Sequence, residues 1–168
     1  MDRVWTEDVY YAQISWRKPI LYDEVFQLSS AAQKKAYFYK VLGRFGQSYS
    51  LMYVGKVYKQ DVSTRLLNGD HAFKRNSWQA EHKRHTLMIS LGDLVSEHFL
   101  DIKREKNRER MIDDLESMLI YSHSYHLKFK NKKNIGSHRI MFEYYLRNSG
   151  FIKEGMLREL SYGMFYKG

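Results

Sequence analysis

Residues 36–71, AYFYKVLGRFGQSYSLMYVGKVYKQDVSTRLLNGDH, constrain the fold more than any other stretch of the chain. Two short runs of aromatic and β-branched residues, YFYKV and LMYVG, are followed at once by a charged segment, which reads as strand, turn, strand and helix. The two-residue period of a strand is expected to place Tyr37, Tyr39 and Val41 on one face, and the second run ends in Tyr53 and Gly55. Tyrosines from the two strands would then lie side by side. The helix is expected to begin near Asp61, a favourable N-cap type, to carry Arg65 in its second turn and to stop at Asn68-Gly69, with His71 at its foot.

The flanking sequence adds further elements. Residues 9–16 have strand composition and end before Pro19. Residues 23–33 predict a short helix with Asp23 as cap and Val25, Phe26 and Leu28 on its apolar side. Trp5 and Trp16 are expected to pack rather than to stack on bases. The polar run AFKRNSWQAEHKRH, residues 72–85, reads as a basic loop around Trp78. Residues 86–91 read as a buried strand ended by Gly92-Asp93. Most of residues 95–124 predict one long helix, charged in front and apolar behind, where Ile112, Leu115, Met118 and Leu119 recur at spacings of three and four. Residues 139–146 lean to a strand, and the aromatic tail to an edge strand. The expected class is α/β (α+β): a small central mixed or antiparallel sheet flanked by helices, in a single domain of 168 residues.

Within the long helix Glu116 is the odd member, four residues after Ile112 and three before Leu119, at the margin of the apolar stripe. A carboxylate leaving water without a partner is costly, so Glu116 must be paired, bound to a cation or displaced to the edge of the core.

Charge narrows the choice of partner. Lysine and arginine number 28 against 19 acidic residues, a formal charge of +9, which favours a polyanion, with nucleic acid first. Lys74, Arg75, Lys83 and Arg84 surround Trp78, a combination suited to phosphate contact and base stacking. A second cluster, Lys128, Lys130, Lys132 and Lys133, brackets Asn131 and Asn134 and would suit a backbone clamp. With no cysteine, disulfides and thiolate zinc sites are excluded, and the spacing of His82 and His85 alone carries little weight as a metal site. The first residues are too polar for a signal peptide and no apolar run approaches a membrane span, so a cytoplasmic protein with no membrane partner is expected.

The order Tyr39, Tyr53-Val54-Gly55, Arg65 and Glu116 resembles the GIY-YIG nuclease family, over roughly residues 36–134. In that family a tyrosine closes the first motif, a second opens the other, an arginine sits on the next helix, and a helix glutamate followed three residues on by Leu-Ile binds metal, as Glu116 precedes Leu119-Ile120. Tyr37 stands where the family has glycine, which leaves Tyr37 or Tyr39 as the first-motif tyrosine, with Tyr39 preferred. The family's downstream asparagine corresponds to Asn131, with Asn134 as the alternative. The resemblance implies a metal-dependent endonuclease acting on DNA, double-stranded ahead of single-stranded. A stand-alone restriction-type or mobile-element enzyme, acting through its own loops or as a homodimer, is the expected kind.

Hydrolysis of a phosphodiester needs a group that positions or deprotonates water, a cation for the developing charge and a metal to stabilise the leaving oxygen. On this reading Tyr39 orients or deprotonates water and Tyr53 bonds the phosphate or its partner tyrosine. Arg65 binds the scissile phosphate and Glu116 holds one Mg²⁺ or Mn²⁺. Lys56 and His71 are further candidates for phosphate contact and proton transfer. Because a phenol ionises near pH 10, Lys56, Arg65 or the metal would have to favour the phenolate of Tyr39. The competing expectation is a catalytically silent nucleic-acid-binding module on the same fold.

Overall fold

The structure is a computed structural model that describes residues 9–126, 128, 130, 131, 140 and 142–162. In chain order these form β1 (Val9–Trp16), β2 (Ile20–Leu21), a 3₁₀ helix (Tyr22–Gln27), α1 (Ser30–Gln33), β3 (Ala36–Phe45) and β4 (Ser48–Lys56). There follow α2 (Val62–Leu66), α3 (Gly69–Glu81), β5 (Thr86–Val95), α4 (Glu97–Asp101), α5 (Glu105–His123), β6 (Glu143–Gly150) and β7 (Glu159–Tyr162). The strands make one mixed sheet in the order β4-β3-β5-β1-β6-β7, with β2 also on β5. Among the described residues only β1 and β6 pair in parallel. The expected mixed α/β class, with helices flanking a central sheet, is what the chain adopts.

Two cores lie on opposite faces. On one, α5 lays Met111, Ile112, Leu115, Met118 and Leu119 against Ile14, Trp16, Phe38, Leu42, Val54 and Tyr144. On the other, the 3₁₀ helix, α2 and α3 bring Tyr22, Val25, Val62, Leu66 and Trp78 against Tyr39, Val41, Ile89 and Leu91. Behind Tyr39, on the α5 side, the fully buried Lys40 pairs with Glu154 and donates to the Phe151 carbonyl at 2.7 Å, which ties the β6–β7 connection to β3.

Two irregularities decide which side chains face which core. The β3–β5 ladder passes from Ala36↔Asp93 to Phe38↔Gly92, so Tyr37 is an extra residue on β3. Tyr37 consequently packs with Phe99 and Tyr58 on the α5 side, whereas Tyr39 and Val41 face α2 and α3. The expected shared face of Tyr37, Tyr39 and Val41 is thereby corrected: the bulge flips Tyr37 away. A second shift, from Val41↔Tyr53 to Leu42↔Leu51, leaves Met52 unpaired and puts Met52 and Tyr53 together on the Tyr39 side.

Other expectations are corrected in extent. Residues 23–33 form a 3₁₀ helix and one α turn rather than one helix, with Leu21 rather than Asp23 at the first cap position. The strand begun at Thr86 runs through Gly92 to Val95, because Gly92 is where Trp16 crosses: an added Cβ would lie 2.8 Å from the indole and from Ile14. The long helix breaks between Asp101 and Glu105, and the described part of the strand expected over 139–146 belongs to β6, with residue 139 outside the described residues. The expected basic loop after His71 is largely the helix α3. Its polarity hides it from a hydrophobic period, since only His71 and Trp78 are buried, but Ala72, Lys74, Arg75, Gln79, Ala80 and Glu81 are good helix formers. Among the described residues no helix is long and apolar enough to cross a membrane.

Candidate functional site at the capped edge of the sheet

Three groups cap the outer edge of β4. The main-chain amide of Lys130 donates to the Met52 carbonyl at 2.6 Å. The Asn131 side chain, 7 % exposed, both accepts from the Val54 amide at 2.8 Å and donates to its carbonyl at 2.7 Å. The Glu116 carboxylate, reaching across from α5, lies close enough to the main-chain amide of Lys56 for that amide to favour its ionised form. Met52, Val54 and Lys56 alternate along the strand, so all three point their backbone groups outward. Asn131 therefore serves the strand that carries Tyr53-Val54-Gly55, with its amide engaged on both sides by backbone.

Around this edge the two faces of the sheet meet. Tyr39 on β3 and Tyr53 on β4 stack with ring centroids 6.1 Å apart. His71, in the first turn of α3, closes over both at 6.1 and 5.9 Å, with Nε2 3.4 Å from the Tyr39 hydroxyl. Trp78, two turns further along α3, packs on Tyr53 at 5.3 Å, and the Lys74 ammonium sits 5.4 Å above the same ring. Gly55 lies opposite Tyr39 in the ladder, and a Cβ there would fall 2.4 Å from the phenol. The glycine of Tyr53-Val54-Gly55 thus has a direct physical purpose, to let the Tyr39 ring cross the neighbouring strand.

The charges around the tyrosines come from three elements. Arg65 on α2 acts electrostatically on Tyr39, Tyr53, His71 and Glu116, and among the described residues its guanidinium makes no hydrogen bond or ion pair. Lys56 forms an ion pair with Asp113, one helical turn before Glu116. Burial pushes the Glu116 carboxyl up to about 7; Lys56 and Arg65 pull against this while Asp113 adds to it. Burial also lowers His71 to about 4, helped by Arg65 and Lys74, so the imidazole is neutral at physiological pH. Its Nδ1 is buried with no hydrogen-bond partner among the described residues.

Tyr39, 1 % exposed, departs from the expected phenolate. Desolvation raises its pKa well above the usual 10, Tyr53 adds to this, and the opposing effect of Arg65 is smaller. Tyr53 is raised as well, chiefly by burial. Both phenols therefore stay protonated at neutral pH, available to donate and to orient rather than to serve as preformed bases.

Most of the expected phosphate contacts already have partners. Lys74 pairs with Asp70 at 2.8 Å, Arg75 with Asp23 at 2.6 Å and Lys130 with Glu81 at 2.5 Å, while Lys128 contacts His85 Nε2 at 2.6 Å. These pairs are largely exposed and cost little to exchange for phosphate. Lys83 and Arg84 lie exposed beyond the end of α3. Lys132, Lys133 and Asn134 lie outside the described residues. Asp113 and Tyr22 escaped the sequence reading, as did the packing of Trp78 on Tyr53. Asp113 could have been found from its i−3 spacing to Glu116, whereas the placement of Tyr22 and Trp78 beside Tyr53 depends on the packing of the 3₁₀ helix and α3 and has no local signal.

A divalent ion fits this chemistry. Among the described residues no three His, Cys, Asp or Glu side chains converge as a complete cage. Mg²⁺, however, takes one or two carboxylates, keeps several waters and completes its shell with substrate phosphate. A desolvated carboxylate held near neutrality, with a second acidic residue one turn before it, is a donor set of that kind.

No protein-family model, curated protein or solved structure matches the chain.

Proposed function

We propose that this protein is a divalent-metal-dependent endonuclease that hydrolyses DNA phosphodiester bonds in the manner of the GIY-YIG enzymes. The observation carrying this reading is the meeting of Tyr39, Tyr53, His71, Arg65 and Glu116 at one sheet edge, from two strands and three helices. A bare aromatic pair would need neither an arginine without a hydrogen-bond or ion-pair partner among the described residues nor a carboxylate held up to about 7 by burial.

Arg65 binds the scissile phosphate, where its fork matches two oxygens and offsets charge that develops as water attacks. Glu116, with Asp113 beside it, would hold the metal, which when bound would polarise the phosphate and stabilise the leaving oxygen. Tyr53 donates to a non-bridging oxygen. Tyr39 orients the attacking water. As the water loses a proton to the Tyr39 oxygen, the phenol passes its own to His71 Nε2, so the tyrosine never needs to be a free phenolate. Negative charge from the bound phosphate raises the basicity of His71 at the moment it is needed.

A second reading, a silent binding module, is favoured by the burial of Tyr39 and by the use of Glu116 as a cap for the Lys56 amide. Matched DNA and RNA oligonucleotides, incubated with Mg²⁺, with Mn²⁺ and with chelator, separate these readings. Metal-dependent cutting of DNA supports the nuclease. Binding of both polymers with no cutting supports the module, and cutting of RNA alone would move the substrate class, since no residue of this site is assigned to a 2′-hydroxyl.

A further inference from the structure

One turn beyond His71, the side of α3 that carries Arg75 continues into a groove of about 600 Å³ between the 3₁₀ helix and the start of β5. Tyr22, Arg75, Lys83 and His85 line it, with Asp23 and Glu24 on its lip. Three buried polar atoms of these residues have no hydrogen-bond partner among the described residues: the Tyr22 hydroxyl, Arg75 Nε and His85 Nδ1. Tyr22 is only 3 % exposed, and the Arg75 guanidinium lies 5.6 Å from the centre of its ring.

All three atoms are donors. Desolvation keeps the Tyr22 phenol protonated, up to about 12. Arg75 Nε always carries hydrogen, and only its Nη2 is engaged by Asp23. The Lys128 ammonium, 2.6 Å from His85 Nε2, requires that nitrogen to accept, which leaves the ring hydrogen on Nδ1. Both acidic residues at the lip are already used, Asp23 by Arg75 and Glu24 by the Leu21 amide at 2.9 Å. Buried donors without acceptors are costly and rare, and a groove lined by the three residues that carry them, beside an exposed lysine, is matched to an anionic oxygen acceptor.

We infer that this groove binds a phosphate of the nucleic-acid backbone flanking the scissile bond, through Tyr22, Arg75, Lys83 and His85, and so fixes which way one strand runs through the site. The inference rests on the nuclease reading for the position of the scissile phosphate, but not for binding itself. At 1.5 Å rise per residue, Arg75 lies about 6 Å along α3 from His71, the reach of a neighbouring phosphate. Arg75 exchanges Asp23, an exposed partner, for the phosphate.

Tyr22→Phe provides the sharpest test because it removes the partnerless hydroxyl and nothing else. Without ligand it should raise Tm by about 2–4 °C, since an unmade buried hydrogen bond disappears. In chelator, where no cutting occurs, it should weaken binding of a fluorescein-labelled 12-nucleotide DNA by about threefold to tenfold, and Lys83→Met should do so by a similar factor. The Arg75 Nε–H resonance should shift saturably with that oligonucleotide and far less with inorganic phosphate. Unchanged affinity in both variants would overturn the inference, as would an Arg75 resonance indifferent to DNA. An equal response to inorganic phosphate would replace the strand track by a free-anion site. Absence of metal-dependent cleavage would count against the nuclease reading alone, because every readout here is taken without metal.

Discussion

Glu116→Gln should make the protein more stable and inactive at once, and the size of the gain follows from the site. The folded chain raises the Glu116 carboxyl from its ordinary 4.5 to about 7, mainly by desolvation. A group that holds its proton more tightly when folded stabilises the fold fully below its unfolded pKa and loses that contribution as pH rises through its folded pKa. Above pH 7 the ionised carboxylate therefore costs roughly 3 kcal/mol, at about 1.4 kcal/mol per pH unit between the two values. Glutamine keeps an oxygen for the Lys56 amide without the charge. Allowing for partial exposure, the variant should gain about 2 kcal/mol at pH 8, or about 4–8 °C in Tm, and nothing near pH 4. Mg²⁺ or Mn²⁺ should raise the Tm of the wild type at pH 8 and leave the variant unmoved. Thermal unfolding at pH 4, 6 and 8, with metal and with chelator, checks each part. A variant less stable than wild type at pH 8 would refute the reasoning, because it would make Glu116 a partner that the fold needs charged.

Arg65→Ala should abolish cleavage while the thermal transition and most of the DNA affinity persist, read by single-turnover cleavage beside binding in chelator; cutting at the wild-type rate would remove Arg65 from the site. Gly55→Ala should force the Tyr39 ring out of its place, lowering Tm by several degrees and cleavage at least tenfold, whereas Gly43→Ala, whose nearest neighbour is the movable end of Met52 at 3.0 Å, should leave cleavage near normal. Asn131→Ala strips two hydrogen bonds from Val54 and exposes the edge of β4, so a loss of about 1–3 kcal/mol is expected in urea unfolding, with faster exchange of the Val54 amide. Cleavage by the wild type should rise with pH through about 7, as Glu116 gives up the proton that a metal must displace.

The side-by-side placement of the Tyr39 and Tyr53 rings was legible because strand composition and the two-residue period survive over short runs, and Asp61 does occupy the N-cap position of the helix that carries Arg65. The bulges at Tyr37 and Met52 were not legible. An extra residue changes faces without altering composition, and nothing in the residue types at Tyr37 or Met52 marks it. Glu116 stood out because a carboxylate interrupts an apolar stripe, and that local conflict between charge and burial is visible in one dimension. The helix α3 was hidden for the opposite reason, since a helix that buries only a histidine and a tryptophan shows no apolar period. The ion pairs of the basic side chains were not legible, because Asp23, Asp70 and Glu81 reach Arg75, Lys74 and Lys130 only once the chain has folded.

The central claim is that this sheet edge cuts DNA rather than merely holding it. Supercoiled plasmid incubated with the purified protein and Mg²⁺ should convert to nicked or linear forms, chelator should stop the conversion, and the Arg65→Ala protein should bind the same plasmid without converting it. Plasmid that is bound but remains supercoiled with Mg²⁺ and with Mn²⁺ would contradict the account.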